Sequence, residues 1–82
     1  MLVYFQNCRG LRTKLHEFYN EVFVSDFEIV TIVETWLCDN IYDSEIVDLN
    51  QYAVLRADRD LKLHGKAWGG GVLCLVKVSN ET

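Results

Sequence analysis

The hydrophobic residues of this chain follow two spacings, and the change between them predicts the secondary structure. Short apolar runs at residues 2–5 and 28–33 are typical of strands. Between them, apolar residues recur at the three-and-four spacing of a helix, with Thr13 as the expected N-cap. These residues are Leu15, Phe18, Tyr19, Val22 and Phe23. Strand, helix and strand in this order predict a βαβ unit with a right-handed crossover, and so an α/β fold.

The second half of the chain predicts further strands. Residues 51–56 suit a short strand, 57–67 a charged loop and 71–78 a last apolar strand, and residues 43–49 suit a short acidic helical turn. Because residues 29–33 and 72–76 are almost continuously apolar, we expect both faces of their strands to be covered. One good helix leaves one face and one edge of a four-stranded sheet open, so we expect a partial domain that is prone to self-association.

Composition supports a folded interior that is small. The chain has 82 residues, of which 50% are hydrophobic, and it has no proline. That balance excludes a disordered tail, but a chain of this length buries a low fraction of its surface on folding. No apolar run is long enough to span a bilayer, so we expect an intracellular protein without a membrane partner. The three cysteines, Cys8, Cys38 and Cys74, are expected to be reduced and mostly buried.

Charge is distributed unevenly along the chain. The net charge is −4, which argues against a simple electrostatic nucleic-acid binder. Residues 15–55 contain no Lys or Arg, and basic residues cluster on either side of that stretch. The clusters are Arg9, Arg12 and Lys14, then Arg56, Arg59, Lys62 and Lys66. They are either ordinary solvated surface or the flanks of a phosphate site.

Two polar residues stand where predicted strands end. Asn7 follows the first strand, and Glu34 directly follows the apolar run of the second. Open α/β sheets bind ligands at the carboxyl ends of their strands, and magnesium prefers carboxylate oxygens. We therefore predict that the two side chains converge on one opening, where Glu34 is one candidate for a metal ligand. The alternatives are a turn-capping asparagine and a solvated or Arg-paired glutamate.

The glycines at 69–71 precede the last strand. They do not form either of the glycine-rich phosphate-binding patterns, so a nucleotide loop is not expected. We expect them to allow positive φ or a close approach of backbones. His16 and His64 have no partner at metal-binding or catalytic spacing and are given no role.

The order of these motifs resembles the start of the endonuclease domain of non-LTR retrotransposons. The motifs are Asn7-x-x-Gly10-Leu11, Val33-Glu34-Thr35-Trp36-Leu37, Arg56-x-Asp58-Arg59 and Gly69-Gly70-Gly71-Val72. They extend over nearly the whole chain. The domain belongs to the endonuclease/exonuclease/phosphatase superfamily, in which the Glu-Thr motif is shared widely, whereas Glu-Thr-Trp-Leu with Asp-Arg and three glycines is similar to the retrotransposon branch.

The resemblance implies a fold, a cofactor and roles for residues. The fold would be the N-terminal fragment of a four-layer α/β sandwich, with residues 1–82 as a partial domain. Glu34 would bind Mg²⁺, and Asn7 would lie beside the metal and the scissile phosphate. From the basic clusters, Arg9 and Arg59 are the candidate contacts to phosphate or DNA. The later Asp-x-Asn and Ser-Asp-His motifs have no counterpart here. We therefore expect the 82-residue chain to be inactive alone.

The resemblance also implies partners and a location, and it leaves the function partly open. The partners would be DNA, in the complete domain, and the missing C-terminal part. A complete retrotransposon protein would be nuclear. The leading hypothesis is a fragment of a DNA-nicking, Mg²⁺-dependent endonuclease. The alternatives are a superfamily phosphatase or phosphodiesterase acting on a small or lipid-linked phosphate, and a non-catalytic βαβ interaction module whose acidic middle binds a basic partner.

Overall fold

The computed structural model describes residues 2–38, 40–58 and 70–78, which form a small α/β fold with one mixed sheet. The elements are β1 (Val3–Asn7), a 3₁₀ turn (Arg12–Lys14), α1 (Leu15–Phe23), β2 (Ile29–Val33), α2 (Asp43–Ile46), β3 (Tyr52–Ala57) and β4 (Val72–Lys77). The strand order is β1-β2-β4-β3. β1 and β2 run parallel, as the predicted βαβ unit requires, and β4 runs antiparallel to both of its neighbours.

One face of the sheet carries the hydrophobic core. Val30 and Ile32 of β2, and Leu73 and Leu75 of β4, are each 0% exposed. They cluster with residues of the helices and connecting segments, among them Leu11, Phe18, Val22, Leu37, Ile46 and Val47. Burying one such side chain contributes about 1.5–3 kcal/mol, so this face provides most of the stability available to the chain. Among the described residues, no helix is long and apolar enough to cross a membrane.

The opposite face of the sheet is apolar and open. The strand register aligns its side chains in three rows: Val3-Ile29-Val76-Ala53, Phe5-Thr31-Cys74-Leu55 and Asn7-Val33-Val72-Ala57. None of these twelve side chains is charged, and Phe5 and Leu55 are each 65% exposed. For the described residues, the prediction that β2 and β4 are covered on both faces is therefore wrong, and the prediction that one good helix leaves one face of the sheet open is confirmed. Continuous hydrophobicity shows that both faces of a strand are apolar enough to be buried. Each face is buried only if a layer of helices or a second sheet packs against it.

The helix starts differ from the sequence prediction. Thr13 does not cap α1, because it lies within the 3₁₀ turn, and Lys14 occupies the N-cap position without a side-chain capping bond. The turn is closed by the Lys14 amide, which donates to the Leu11 carbonyl over 2.8 Å. α2 is shorter than the predicted 43–49 turn because Val47, which is buried, adopts an extended backbone and ends the helix.

Candidate functional site

Three segments that are far apart in sequence meet at the carboxyl ends of β1 and β2. The Gly10 amide donates to the Glu34 carbonyl over 2.8 Å, and the Leu11 amide donates to the Thr35 carbonyl over 2.8 Å. On the other side, the Trp36 amide donates to the Gly70 carbonyl over 2.9 Å. The segment after β2 is thus held between the loop that follows β1 and the glycines that precede β4.

Glu34 is held in an unusual backbone conformation. Its φ is +57°, and Trp36 two residues later has a φ of +58°. Left-handed backbone costs a residue with a side chain about 1–2 kcal/mol, and such outliers cluster at functional sites. Oxygen Oε2 of Glu34 accepts hydrogen bonds from the Trp36 indole Nε1–H at 3.0 Å and from the Gly70 amide at 2.9 Å. Bonds to an ionised carboxylate are about twice as strong as neutral ones, so this pair fixes the side chain.

Two glycines make this arrangement possible. Gly10 has a φ of +102°, and a Cβ at that position would lie 2.7 Å from Trp36 Cε3. Gly71 has a φ of +94°, and a Cβ there would overlap the hydroxyl oxygen of Thr35, which is fully buried. The expectation that the glycines before β4 allow positive φ or a close approach is confirmed, because Gly70 and Gly71 both have positive φ and Gly71 also lies close to Thr35. Gly69 lies outside the described residues.

Of the other predicted site residues, the structure describes Asn7 and Arg9. Asn7 is the last residue of β1 and pairs in register with Val33, so Asn7 and Glu34 lie at the ends of adjacent parallel strands. Convergence of their side chains on one opening stays a prediction. Arg9 is exposed and has a φ of +51°. Arg59 lies outside the described residues.

Arg56 has a role that the sequence did not indicate. Its guanidinium forms a bidentate pair with Asp58, with Nε to Oδ1 at 2.9 Å and Nη2 to Oδ2 at 2.6 Å. It also donates to the carbonyls of Cys38 and Ile41 and to the carboxylate of Asp43. The bonds to Asp58, and then those to Asp43, outweigh burial and raise the pKa of Arg56 above its usual value. Five donated bonds use all five N–H groups of the side chain. The reading of Arg56 as a flank of a phosphate site is therefore not supported.

All three cysteines are free thiols, as expected. Cys8 is buried beside the end of β1, and burial raises the pKa of its thiol, although Lys14 opposes that effect. The Lys14 ammonium donates to the Cys8 carbonyl over 3.0 Å. A neutral buried thiol is a poor nucleophile, so Cys8 is a packing residue.

The site can supply one acidic ligand for a hard cation. Within residues 2–38, 40–58 and 70–78, no three His, Cys, Asp or Glu side chains gather where they could hold a metal ion. Mg²⁺ often takes only one or two protein carboxylates and completes its octahedron with water and substrate phosphate. Glu34, a carboxylate whose position is fixed by two hydrogen bonds, fits the part of a single protein ligand.

Comparison with models of protein families, with curated proteins and with solved structures found no match to this chain. The sequence and the geometry of the site therefore have to support a function by themselves.

Proposed function

We propose that this chain is part of a Mg²⁺-dependent phosphodiesterase of the endonuclease/exonuclease/phosphatase class, and that the complete domain nicks DNA as retrotransposon endonucleases do. Glu34 is the proposed metal ligand, and Asn7 is the proposed contact to the metal-bound phosphate. Arg9 and Arg59 are proposed contacts to phosphate or DNA.

The observation that carries this proposal is the meeting of the motifs around Glu34. The resemblance rests on separate short motifs, and residues from three of them are joined by hydrogen bonds at Gly10, Glu34, Trp36 and Gly70. Turn-forming residues scattered along a chain would have no reason to meet at the end of one strand. A glutamate kept in left-handed backbone at that strand end is better explained by a ligand than by stability alone.

The open sheet face supports the architecture that the proposal includes. Two sheets that pack face to face lie about 10 Å apart with their apolar faces inward. The three uncharged rows of this sheet offer such a face, while the helices cover the other side. We propose that a second sheet packs here in the complete domain, which gives the four layers helix, sheet, sheet and helix.

The chemistry follows from the residue types. When bound, Mg²⁺ would supply charge stabilisation to a phosphate oxygen. In this chain, Glu34 would hold the ion through a fixed carboxylate, and the Asn7 amide would donate to a phosphate oxygen and orient it. The general base and the protonated group for the leaving oxygen would come from other parts of the complete domain.

Metal binding by the 82-residue chain tests the central residue. Mn²⁺, a paramagnetic substitute for Mg²⁺, should broaden the NMR signals of the Trp36 indole and the Gly70 amide, because both groups bond to Glu34. Glu34→Gln keeps an oxygen that can accept both hydrogen bonds but removes the charge. We expect it to weaken Mn²⁺ binding at least about tenfold, while the Trp36 indole shift keeps its native dispersion.

Glu28 gives a matched control. It is exposed and directly precedes β2, whereas Glu34 directly follows it, so the two carboxylates lie at opposite ends of one strand. With five intervening residues their separation is about 20 Å. Glu28→Gln removes the same charge and should leave Mn²⁺ binding unchanged. If both variants bind Mn²⁺ as the parent does, Glu34 is not the ligand; if both lose binding equally, the effect is general electrostatics.

Dimethyl phosphate tests the phosphodiester part of the proposal. In the presence of Mg²⁺ it should shift the side-chain amide signals of Asn7, and without Mg²⁺ it should not. Asn7→Ala should weaken dimethyl phosphate binding without changing the affinity for Mn²⁺. Equal shifts with and without the metal would contradict the assigned roles.

A further inference from the structure

Arg56 joins the end of β3 to the segment that follows Glu34. Residues 34–38 leave β2, and the Ile41 amide closes a turn by donating to the Cys38 carbonyl over 3.2 Å. Arg56 donates to both carbonyls at the ends of this turn, from Nη2 to Cys38 at 3.0 Å and from Nη1 to Ile41 at 2.8 Å. Its third contact is the carboxylate of Asp43 at the start of α2, at 3.0 Å.

Asp58 orients the guanidinium for these contacts. The bidentate pair fixes the plane of the guanidinium, and the remaining three N–H groups then point at the turn and at Asp43. The side chain of Arg56 is only 14% exposed and that of Asp58 20% exposed. Because both groups are largely removed from water, breaking this network leaves polar groups unsatisfied at a cost well above that of a surface ion pair.

The segment that contains Glu34 is therefore held at both ends. At its start, Gly10, Leu11 and Gly70 bond to the backbone of Glu34, Thr35 and Trp36. At its far end, Arg56 bonds to Cys38 and Ile41, and the fully buried Leu37 lies between the two anchors. A left-handed Glu34 persists only if its surroundings over-determine the conformation. Loosening the far anchor gives the segment freedom to relax toward ordinary backbone.

We infer that Arg56 is a positioning residue for the candidate metal site. It holds Glu34 in place through the turn between Cys38 and Ile41, and it does not itself bind phosphate. This inference rests on the proposed function for the meaning of the site. The hydrogen-bond network that carries it is independent of any metal. Lysine cannot replace arginine here, because an ammonium has three donors and no planar fork.

The test compares Arg56→Lys with the parent by native-state hydrogen exchange. The Ile41 amide and the Trp36 indole report on the turn and on the Glu34 contact, and the amides of Ile32 and Leu75 report on the sheet. We expect Arg56→Lys to accelerate exchange at the two reporters about tenfold or more, with the sheet amides changed much less. Mn²⁺ binding at Glu34 should weaken several-fold. Arg12→Gln, which removes one exposed positive charge from the 3₁₀ turn, should change neither quantity.

Each outcome bears on the inference. Equal acceleration at the reporters and in the sheet would mean that Arg56 supports only global stability, which overturns a positioning role. Unchanged exchange at Ile41 and Trp36 would overturn it as well. Perturbation of the Arg56 Nε–H signal of the parent by inorganic phosphate would make Arg56 a phosphate ligand instead. If the parent binds no Mn²⁺, the proposed function fails, and the exchange pattern still decides whether Arg56 controls the turn.

Discussion

Replacing Gly10 with alanine should destabilise the protein through two separable effects. The first is the backbone, because Gly10 has a φ of +102° that alanine avoids. The second is space, because the new methyl group would lie 2.7 Å from Cε3 and 3.1 Å from Cζ3 of the Trp36 indole. Contacts below 3.0 Å are not tolerated, so the indole or the Gly10 loop has to move.

Each of the two effects lowers the free energy of unfolding. Left-handed backbone costs alanine about 1–2 kcal/mol. Inserting a methyl group into a packed contact costs about 1–3 kcal/mol. Their sum, about 2–5 kcal/mol, is a large part of the roughly 4–12 kcal/mol expected for an 82-residue domain. At about 4–8 °C per kcal/mol, the Tm should fall by at least about 8 °C.

A double-mutant cycle with Trp36→Leu separates the effects. Leucine lacks the ring atoms that the new methyl group would meet, so Gly10→Ala in the leucine background should cost only the backbone part, about 1–2 kcal/mol. The free energy of unfolding is measured by urea denaturation followed by far-UV circular dichroism, for the parent, both single variants and the double variant. The coupling energy should be about 1–3 kcal/mol.

Two results would refute this reasoning. If Gly10→Ala costs the same in the tryptophan and leucine backgrounds, the indole does not limit the space at Gly10. If Gly10→Ala alone lowers the free energy of unfolding by less than about 0.5 kcal/mol, neither the positive φ of Gly10 nor its close approach to the Trp36 indole matters to stability.

Three further predictions address the core, the open face and the buried thiol. Tyr52→Phe removes the hydroxyl that donates to the Phe27 carbonyl over 2.6 Å, and should lower the urea-derived free energy of unfolding by about 1–2 kcal/mol. Leu55→Glu places a charge on the open apolar face, and should reduce self-association in sedimentation velocity without changing the circular dichroism spectrum; unchanged association would contradict a role for that face. The pKa of Cys8 is raised above 9.0 in the folded chain, so the unfolded chain loses this proton first as the pH rises. The free energy of unfolding should therefore fall as the pH rises past about 9. Cys8→Ala should remove that pH dependence.

The hydrophobic pattern alone predicted the element types and their order. The strands β1 to β4 and the helix α1 were predicted within a few residues, because alternation and helical spacing are local properties of the chain. The parallel pairing of β1 with β2 also followed, since a helix between two strands favours a parallel crossover. Placing Asn7 and Glu34 at adjacent strand ends needed nothing more than that topology.

The contacts around Glu34 could not be read from the sequence. The left-handed backbone of Glu34 and Trp36 depends on the amides and carbonyls of Gly10, Leu11 and Gly70, which are brought together only by the sheet. The same is true of Arg56, which looked like one of several surface bases. An aspartate two residues after it was the single local signal of an ion pair, and its other partners lie thirteen to eighteen residues away in the chain.

The single good helix predicted that one face of the sheet would be left open, whereas the hydrophobicity of the strands predicted the opposite. Near-continuous hydrophobicity in β2 and β4 predicted cover on both sides, yet the described residues cover only one side of the sheet. Because side chains alternate along a strand, the sequence determines which residues share a face. Since the residues on both faces are mostly apolar, it also determined that both faces are apolar. Which face the helices cover was decided by tertiary structure, because that depends on where the connections carry α1 and α2.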